Sequence, residues 1–254
     1  MANVTVKNVT LGQGRPKVIV PIVAADLPQA VAQAKALNEH SGVDVVELRL
    51  DLLRGADTAA CCACLRAVRE ALETKPLLAT VRTTREGGEA ALSPAAYTEL
   101  LCALCRTGAA DLLDIEASVG EAALQTLRQA AQQAGMRTVF SCHHFEGTST
   151  LEQMVDTLCG MGRQGADIAK LAVMPHTQAD AALLLLATAQ AAAAMPQVPV
   201  ITMSMGELGK ISRLCGGAFG SAATFGTVGE ASAPGQVPVA AMEQLFAALE
   251  ACGC

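Results

Sequence analysis

The 254-residue chain is 52 % hydrophobic and 17 % charged, which supplies a substantial core and excludes an intrinsically disordered chain. Its formal charge of -6, with no Trp, one Tyr and five Phe, argues against a nucleic-acid partner, since it offers neither a basic field nor stacking platforms. An anionic ligand would have to be drawn in by local arginines.

Met1 to Thr10 carry no basic stretch followed by an apolar block, which argues against export. The longest apolar block, Ala181 to Met195, contains Thr188 and Gln190 and is shorter than the ~20 residues a membrane span needs. A cytoplasmic protein with no membrane partner is therefore expected. Ten cysteines invite a zinc or disulfide reading, and Cys61-x-x-Cys64 and Cys102-x-x-Cys105 look like half-sites. Both pairs lie in Ala- and Leu-rich helical stretches without Gly-containing knuckle turns, so small buried thiols are expected instead.

In chain order, Val4 to Val6 and Val9 to Leu11 read as an opening β-hairpin. One unit then recurs: a short β-rich run, a loop and an Ala/Leu-rich helical stretch. Strands are expected at Val18 to Val23, Val43 to Leu50, Leu77 to Val81, Leu112 to Ile115, Arg137 to Ser141, Ile168 to Val173, Val200 to Met203 and Ala218 to Ala223. A final helix is expected from Val239 to Ala251. Eight units in this length predict an α/β fold, a (β/α)8 TIM barrel with a short N-terminal β-hairpin. No linker divides the chain, so it counts as one catalytic domain, 1–254. In such a barrel, function sits at the C-terminal ends of the strands.

The polar residues can be read against that rule. In Val45-Val46-Glu47-Leu48-Arg49-Leu50-Asp51, a two-residue period puts Glu47, Arg49 and Asp51 on one face and Val46, Leu48 and Leu50 on the other. The apolar face suits the outer helices, so the charges point toward the barrel mouth. They form either an internal ion-pair network or a set that orients a polyhydroxylated ligand. Arg82 ends the next strand and could clamp a carboxylate or phosphate, whereas Arg85 belongs to the solvated loop. Asp114 and Glu116 share one face and read as partners of the inward arginines. His143 and His144 are adjacent, so at most one can face the mouth while the strand persists. Lys170 interrupts an apolar strand one unit later. It is either a strand-end lysine that reaches solvent or a buried amine that has given up its proton and attacks a carbonyl. Farther on, Met203 and Met205 are either ordinary core residues or an apolar wall over a ligand, and Arg213 follows in a short helix. Gly216 to Ser221 could cradle a phosphate, and Ala231 to Gln236 could close over a ligand.

Taken together these residues resemble the type I 3-dehydroquinate dehydratase family. The resemblance rests on Val46 to Asp51, Arg82 with Glu86-Gly87-Gly88, Asp114-Ile115-Glu116, Ser141-x-His143-x-Phe145, Asp167 to Lys170 and Ala172 to Pro175. It continues through Ile201 to Met205, Ile211 to Leu214, Phe219 to Gly226 and Ser232 to Gln236. It implies dehydration of 3-dehydroquinate to 3-dehydroshikimate in the shikimate pathway, through a lysine Schiff base, with no cofactor and no metal. Lys170 would form the imine at the C3 ketone. His143 would act as general base at C2 and then as general acid toward the C1 hydroxyl, with Glu86 orienting it. Arg213 and Arg82 would hold the substrate carboxylate, and Glu47, Arg49, Ser232 and Gln236 would contact hydroxyls or the carboxylate. Met203, Met205 and Phe225 would line the pocket, and a homodimer is implied. The chemistry is coherent, because a protonated imine is an electron sink and an imidazole with an ordinary pKa of about 6.5 can serve both proton transfers.

Two positions depart from the family pattern: His144, where Asp or Asn is usual, and Pro21, where a serine is often found. A Schiff-base aldolase acting on a phosphosugar shares the barrel and the lysine. A zinc- or redox-binding protein built on the cysteines is the non-enzymatic alternative. Neither explains inward charges at so many strand ends.

Overall fold

The computed structural model describes residues 2–229 and 235–252. Val4–Val6 (β1) and Val9–Leu11 (β2) pair antiparallel as the opening hairpin. Strands and helices then alternate: β3 (Lys17–Ile22), α1 (Leu27–Asn38), β4 (Val45–Arg49), α2 (Thr58–Leu72), β5 (Leu77–Thr80), α3 (Pro94–Thr107), β6 (Leu112–Glu116) and α4 (Glu121–Gln133). The second half continues with β7 (Arg137–His144), α5 (Leu151–Arg163), β8 (Ile168–Val173), α6 (Gln178–Ala194), β9 (Val200–Ser204), α7 (Lys210–Cys215) and β10 (Ala223–Thr227). A two-residue strand, β11 (Val237–Pro238), and α8 (Val239–Ala251) end it. Strands β3 to β9 follow one another in parallel, and β10 pairs with β3. The ring closes where the Ala222 amide donates to the Val200 carbonyl at 2.8 Å, beside a bridge between Val200 and Ser221. This is the eight-stranded α/β barrel that the repeat predicts.

The two-residue period of each strand sorts its side chains into two cores. Outward residues such as Val18, Val20, Val46, Leu48, Leu77, Ala79, Ala169 and Leu171 pack with the helices. Inward residues Ile19, Val45, Leu78, Leu112, Val139, Ile168, Ile201 and Ala223 form a second cluster, against which Val6, Val9 and Leu11 of the hairpin pack. That cluster is the floor of the barrel. Two residues farther along their strands come Glu47, Thr80, Asp114, Ser141 and Lys170, all buried, so the interior changes from apolar to ionic within one step of the pleat.

The opposite, N-terminal rim is stitched by aspartates. Asp44 accepts the Val18 amide at 2.7 Å, Asp111 the Leu77 amide at 2.8 Å and Asp167 the Thr138 amide at 2.8 Å. Each also pairs with an arginine, Arg15, Arg69 and Arg137 in turn.

Most ring-strand ends shift from expectation by one or two residues, and two strands differ by more. β7 extends to His144, which keeps His143 on the ladder opposite Ala172. The last ring strand is Ala223–Thr227 and not Ala218 to Ala223, because Gly216–Phe219 turns as a short 3-10 helix, and the β-favouring Thr224, Phe225 and Thr227 lie beyond it. Gly217 lies against Pro16, where an added Cβ would come within 2.7 Å of the proline ring. The glycine run therefore enters the strand at the N-terminal rim, which removes it from the mouth and overturns the phosphate-cradle reading.

Candidate active site

A cavity of about 380 Å³ opens at the C-terminal mouth. At its base, Lys170 on β8 is 4 % exposed, with Nζ 3.5 Å from Asp114 Oδ2 on β6 and over the face of the Phe225 ring on β10, 4.5 Å from its centroid. Burial is the largest influence on the amine and lowers its pKa; Asp114 and Glu47 oppose the fall, and Arg82 and Arg49 add to it. The solvated strand-end reading of Lys170 is thereby excluded.

Around the amine the carboxylates are held by specific donors. Glu47 accepts from Thr80 Oγ1 at 2.8 Å. Asp114 Oδ1 accepts from Ser141 Oγ at 2.7 Å and from Arg82 Nη2 at 2.8 Å. Arg82 Nη1 reaches Glu116 Oε1 at 3.2 Å and Ser141 Oγ at 3.0 Å. Glu116 also accepts the amide and hydroxyl of Thr83, each at 2.7 Å. Burial alone would favour loss of the Arg82 proton, but Asp114, Glu116 and Glu86 outweigh it and raise its pKa, so the guanidinium stays charged. Both acidic residues at the end of β6 thus pair with an inward arginine. Arg49 and Asp51 form a two-bond pair, Nε to Oδ1 at 2.8 Å and Nη2 to Oδ2 at 2.7 Å.

His143 lies on the same face of β7 as Ser141, whose ladder partner is Lys170, so its Cα stands two residues, or roughly 6.6 Å, farther toward the mouth than that of Lys170. Glu86 Oε2 accepts the His143 backbone amide at 3.1 Å and lies 2.9 Å from the ring Nδ1. With Glu86 ionised, Nδ1 donates to Oε2 and Nε2 keeps a lone pair for chemistry. Glu86 Oε1 accepts from Ser118 Oγ at 2.7 Å. Burial raises the Glu86 carboxyl to about 7, with Arg82 opposing, and lowers His143 well below its ordinary value, with Arg82, Lys170 and Arg49 adding. Both members are driven toward their neutral forms. The turn that delivers Glu86 ends at Gly87, whose φ is 75° and whose added Cβ would lie 2.3 Å from the Phe145 ring, so both conformation and space require glycine.

His144 faces the other way, as the strand period requires, with Nε2 3.1 Å from Cys142 Sγ and Nδ1 3.1 Å from Ser149 Oγ. A more open hollow of about 650 Å³ is lined by both His143 and His144, the loop 145–149 and the turn Thr84, Arg85 and Gly87. Cys61, Cys64 and Cys105 pack in the helix–sheet core, their thiols pushed up to about 11, 11 and 12 by burial.

Arg213 on α7 is 3 % exposed and its environment differs from that of Arg82. Among the described residues no ion pair reaches it, its Nε has no hydrogen-bond partner, and Nη1 makes long contacts to the Phe225 carbonyl (3.4 Å) and Met203 Sδ (3.6 Å). Burial lowers its pKa to about 10. A buried guanidinium with no counter-ion among the described residues suits an anionic ligand. Glu47, Arg49, Arg82, Glu86, His143, Lys170, Met203, Met205, Arg213, Phe225 and Gln236 all line the cavity, as does Pro21, which offers no hydroxyl. Ser232 lies outside the described residues. Sequence reading missed Thr80, Thr83 and Ser118, which fix the carboxylates. Thr80 shares its face with Arg82 and was findable by period, whereas Ser118 arrives from a turn after β6 with no local signal.

The family model described as type I 3-dehydroquinase matches residues 18–251. The chain is 43 % identical over 251 residues to the 3-dehydroquinate dehydratase of Enterococcus faecalis, covering 98 % of this chain and 99 % of that protein. It is 39 % identical over 250 residues to the Salmonella typhimurium enzyme of that name, with the same coverage. A crystal structure of type I 3-dehydroquinate dehydratase from Clostridium difficile, with covalently modified comenic acid, superposes with a TM-score of 0.93 at 36 % identity over 98 % of each chain. That from Geobacillus kaustophilus gives 0.93 at 35 % identity, over 98 % of this chain and 96 % of that one. These likenesses favour the dehydratase reading over the aldolase, and the chain belongs to the type I 3-dehydroquinase family.

Proposed function

We propose that the chain dehydrates 3-dehydroquinate to 3-dehydroshikimate through an imine on Lys170. The observation that carries this reading is a buried amine with a lowered pKa, one ladder step below an imidazole whose Nε2 is left open by Glu86. Lys170 Nζ adds to the C3 carbonyl, and loss of water gives the protonated imine. His143 Nε2 removes a C2 proton, and the electron pair flows to the imine nitrogen as an enamine. The imidazolium returns its proton to the C1 hydroxyl, which leaves as water while the enamine becomes a conjugated imine. A water molecule then hydrolyses that imine, restoring the amine, so the net reaction loses one water.

Arg213 takes the substrate carboxylate in this reading, because its charge has no protein partner among the described residues. Arg82, whose terminal nitrogens are engaged by Asp114, Glu116 and Ser141, adds positive field without a free fork. Glu47, Arg49, Gln236 and Ser232 meet the ring hydroxyls, and Met203, Met205 and Phe225 wall the ring. We place the enzyme in the cytoplasm, as its N-terminal sequence and short apolar blocks suggest, and as a homodimer, as the family resemblance implies. The described cysteines are unpaired, as a reducing compartment allows, and no described helix is long and apolar enough to cross a membrane.

Borohydride trapping with 3-dehydroquinate, followed by peptide mass mapping, tests the reading. The expected adduct is on the Lys170 peptide and is lost, with turnover, in Lys170→Ala. In His143→Ala turnover falls by about 10²- to 10⁴-fold while the imine still forms. Full dehydration in Lys170→Ala would overturn the proposal.

A further inference from the structure

We infer that the Phe225 ring holds the positive charge at Lys170 Nζ, first on the ammonium and then on the protonated imine. The nitrogen lies over the ring face, 4.5 Å from its centroid, with Asp114 Oδ2 3.5 Å away as its carboxylate partner. An aromatic face carries negative potential and attracts a cation, more strongly where water is excluded, and both residues are buried. The strand that carries the ring is held by backbone bonds. Arg213 Nη1 donates to the Phe225 carbonyl at 3.4 Å, Thr224 Oγ1 to the Arg213 carbonyl at 2.9 Å, and Phe225 stands opposite Ile19 on the β3 ladder.

The argument for a catalytic role, which rests on the imine reading above, follows from counting hydrogens. An ammonium has three N–H donors and a protonated imine has one, so any partner that works through N–H groups loses most of its hold as the imine forms. Attraction to a ring face depends on charge rather than on N–H direction, and it persists through that step. The ring also accepts no proton, so it stabilises the cation without competing for it. The ionisable groups that face the nitrogen are Asp114, Glu47, Arg82 and Arg49, with His143 and Arg213 lining the same cavity. The arginines and burial both work against a cation here, and the ring is the uncharged counterweight.

Isosteric rings separate charge from packing. Mono-, di- and trifluorinated phenylalanine placed at position 225 alone weaken the negative face stepwise at nearly constant shape. In the substrate-free protein, Lys170 labelling by acetic anhydride, mapped by mass spectrometry at a fixed pH where the amine is mostly protonated, should rise stepwise by a total of about 2- to 30-fold. With 3-dehydroquinate at alkaline pH, trapping by cyanoborohydride, which reduces the cationic imine, should fall in the same order. A purely packing role leaves both readouts flat across the fluorinated series and changes them only in Phe225→Leu, and that result overturns the inference. Failure of the unmodified protein to give any trapped adduct sinks the imine reading instead, while the labelling arm still decides the contact.

Discussion

At the scale of single residues the decisive pair is Glu86 and His143, in which burial drives acid and base toward neutrality together. Glu86 titrates near 7 in the folded chain and near its ordinary 4.5 when unfolded. A raised carboxyl contributes stability below the unfolded value and loses it as pH climbs through the folded one. Glu86→Gln should therefore gain on the wild type between pH 4.5 and 7, reaching about 3 kcal/mol above pH 7 in denaturant unfolding, with little gain at pH 4.5. The amide fits, since its oxygen can still accept from His143 while its nitrogen donates to Ser118. What it loses is the charge that supports the imidazolium, worth about 1.5–3 kcal/mol, so kcat should fall about 10- to 100-fold. A variant that loses stability at high pH would show the carboxylate to be welcome there. Lys170 and His143 were legible in the sequence because each breaks an apolar β-run with a group that strands rarely bury. The division of labour between Arg82 and Arg213 was not. Both are arginines near strand ends, and only the carboxylates around Arg82, brought from β6 and the turn before α3, distinguish them.

At the scale of elements, register is set from the rim opposite the chemistry. Asp44, Asp111 and Asp167 each precede one strand and accept an amide from the first or second residue of the strand before it, recurring on every second strand across six of the eight ring strands. Asp167 illustrates how motif reading can mislead, since it belongs to the run that ends in Lys170 yet sits about 10 Å from it, at the other end of β8. Asp111 also holds Arg69 at 2.8 Å. Asp111→Ala leaves a partly buried amide and a guanidinium without their acceptor, so stability should fall by about 1–3 kcal/mol, with kcat unchanged. A drop in kcat larger than any change in folded fraction would contradict that assignment. The hairpin and seven ring strands were legible from period and β-preference. The eighth was misplaced because an Ala- and Gly-rich run resembles a small-residue strand until its turn, packed on Pro16, is seen.

At the scale of the whole molecule, the net charge of -6 leaves substrate capture to local cations, and Arg213, which lines the same cavity as Lys170, has no ion-pair partner among the described residues. The interior is stratified, with the hydrocarbon floor directly beneath the ionic tier. That ordering gives the N-terminal hairpin a remote hand in the chemistry. Leu11 is 1 % exposed beneath the floor, and it helps to set the local permittivity felt by an amine it never touches. Leu11→Ser, by admitting water from below, should ease the amine back toward ordinary lysine basicity. Acetic anhydride labelling of Lys170 at neutral pH would then slow, alongside a lower melting temperature; unchanged labelling in the folded variant would limit the hairpin to a mechanical role. The basicity of the nucleophile is on this account partly inherited from the first dozen residues of the chain, so drift in that unassuming segment would retune the enzyme from underneath.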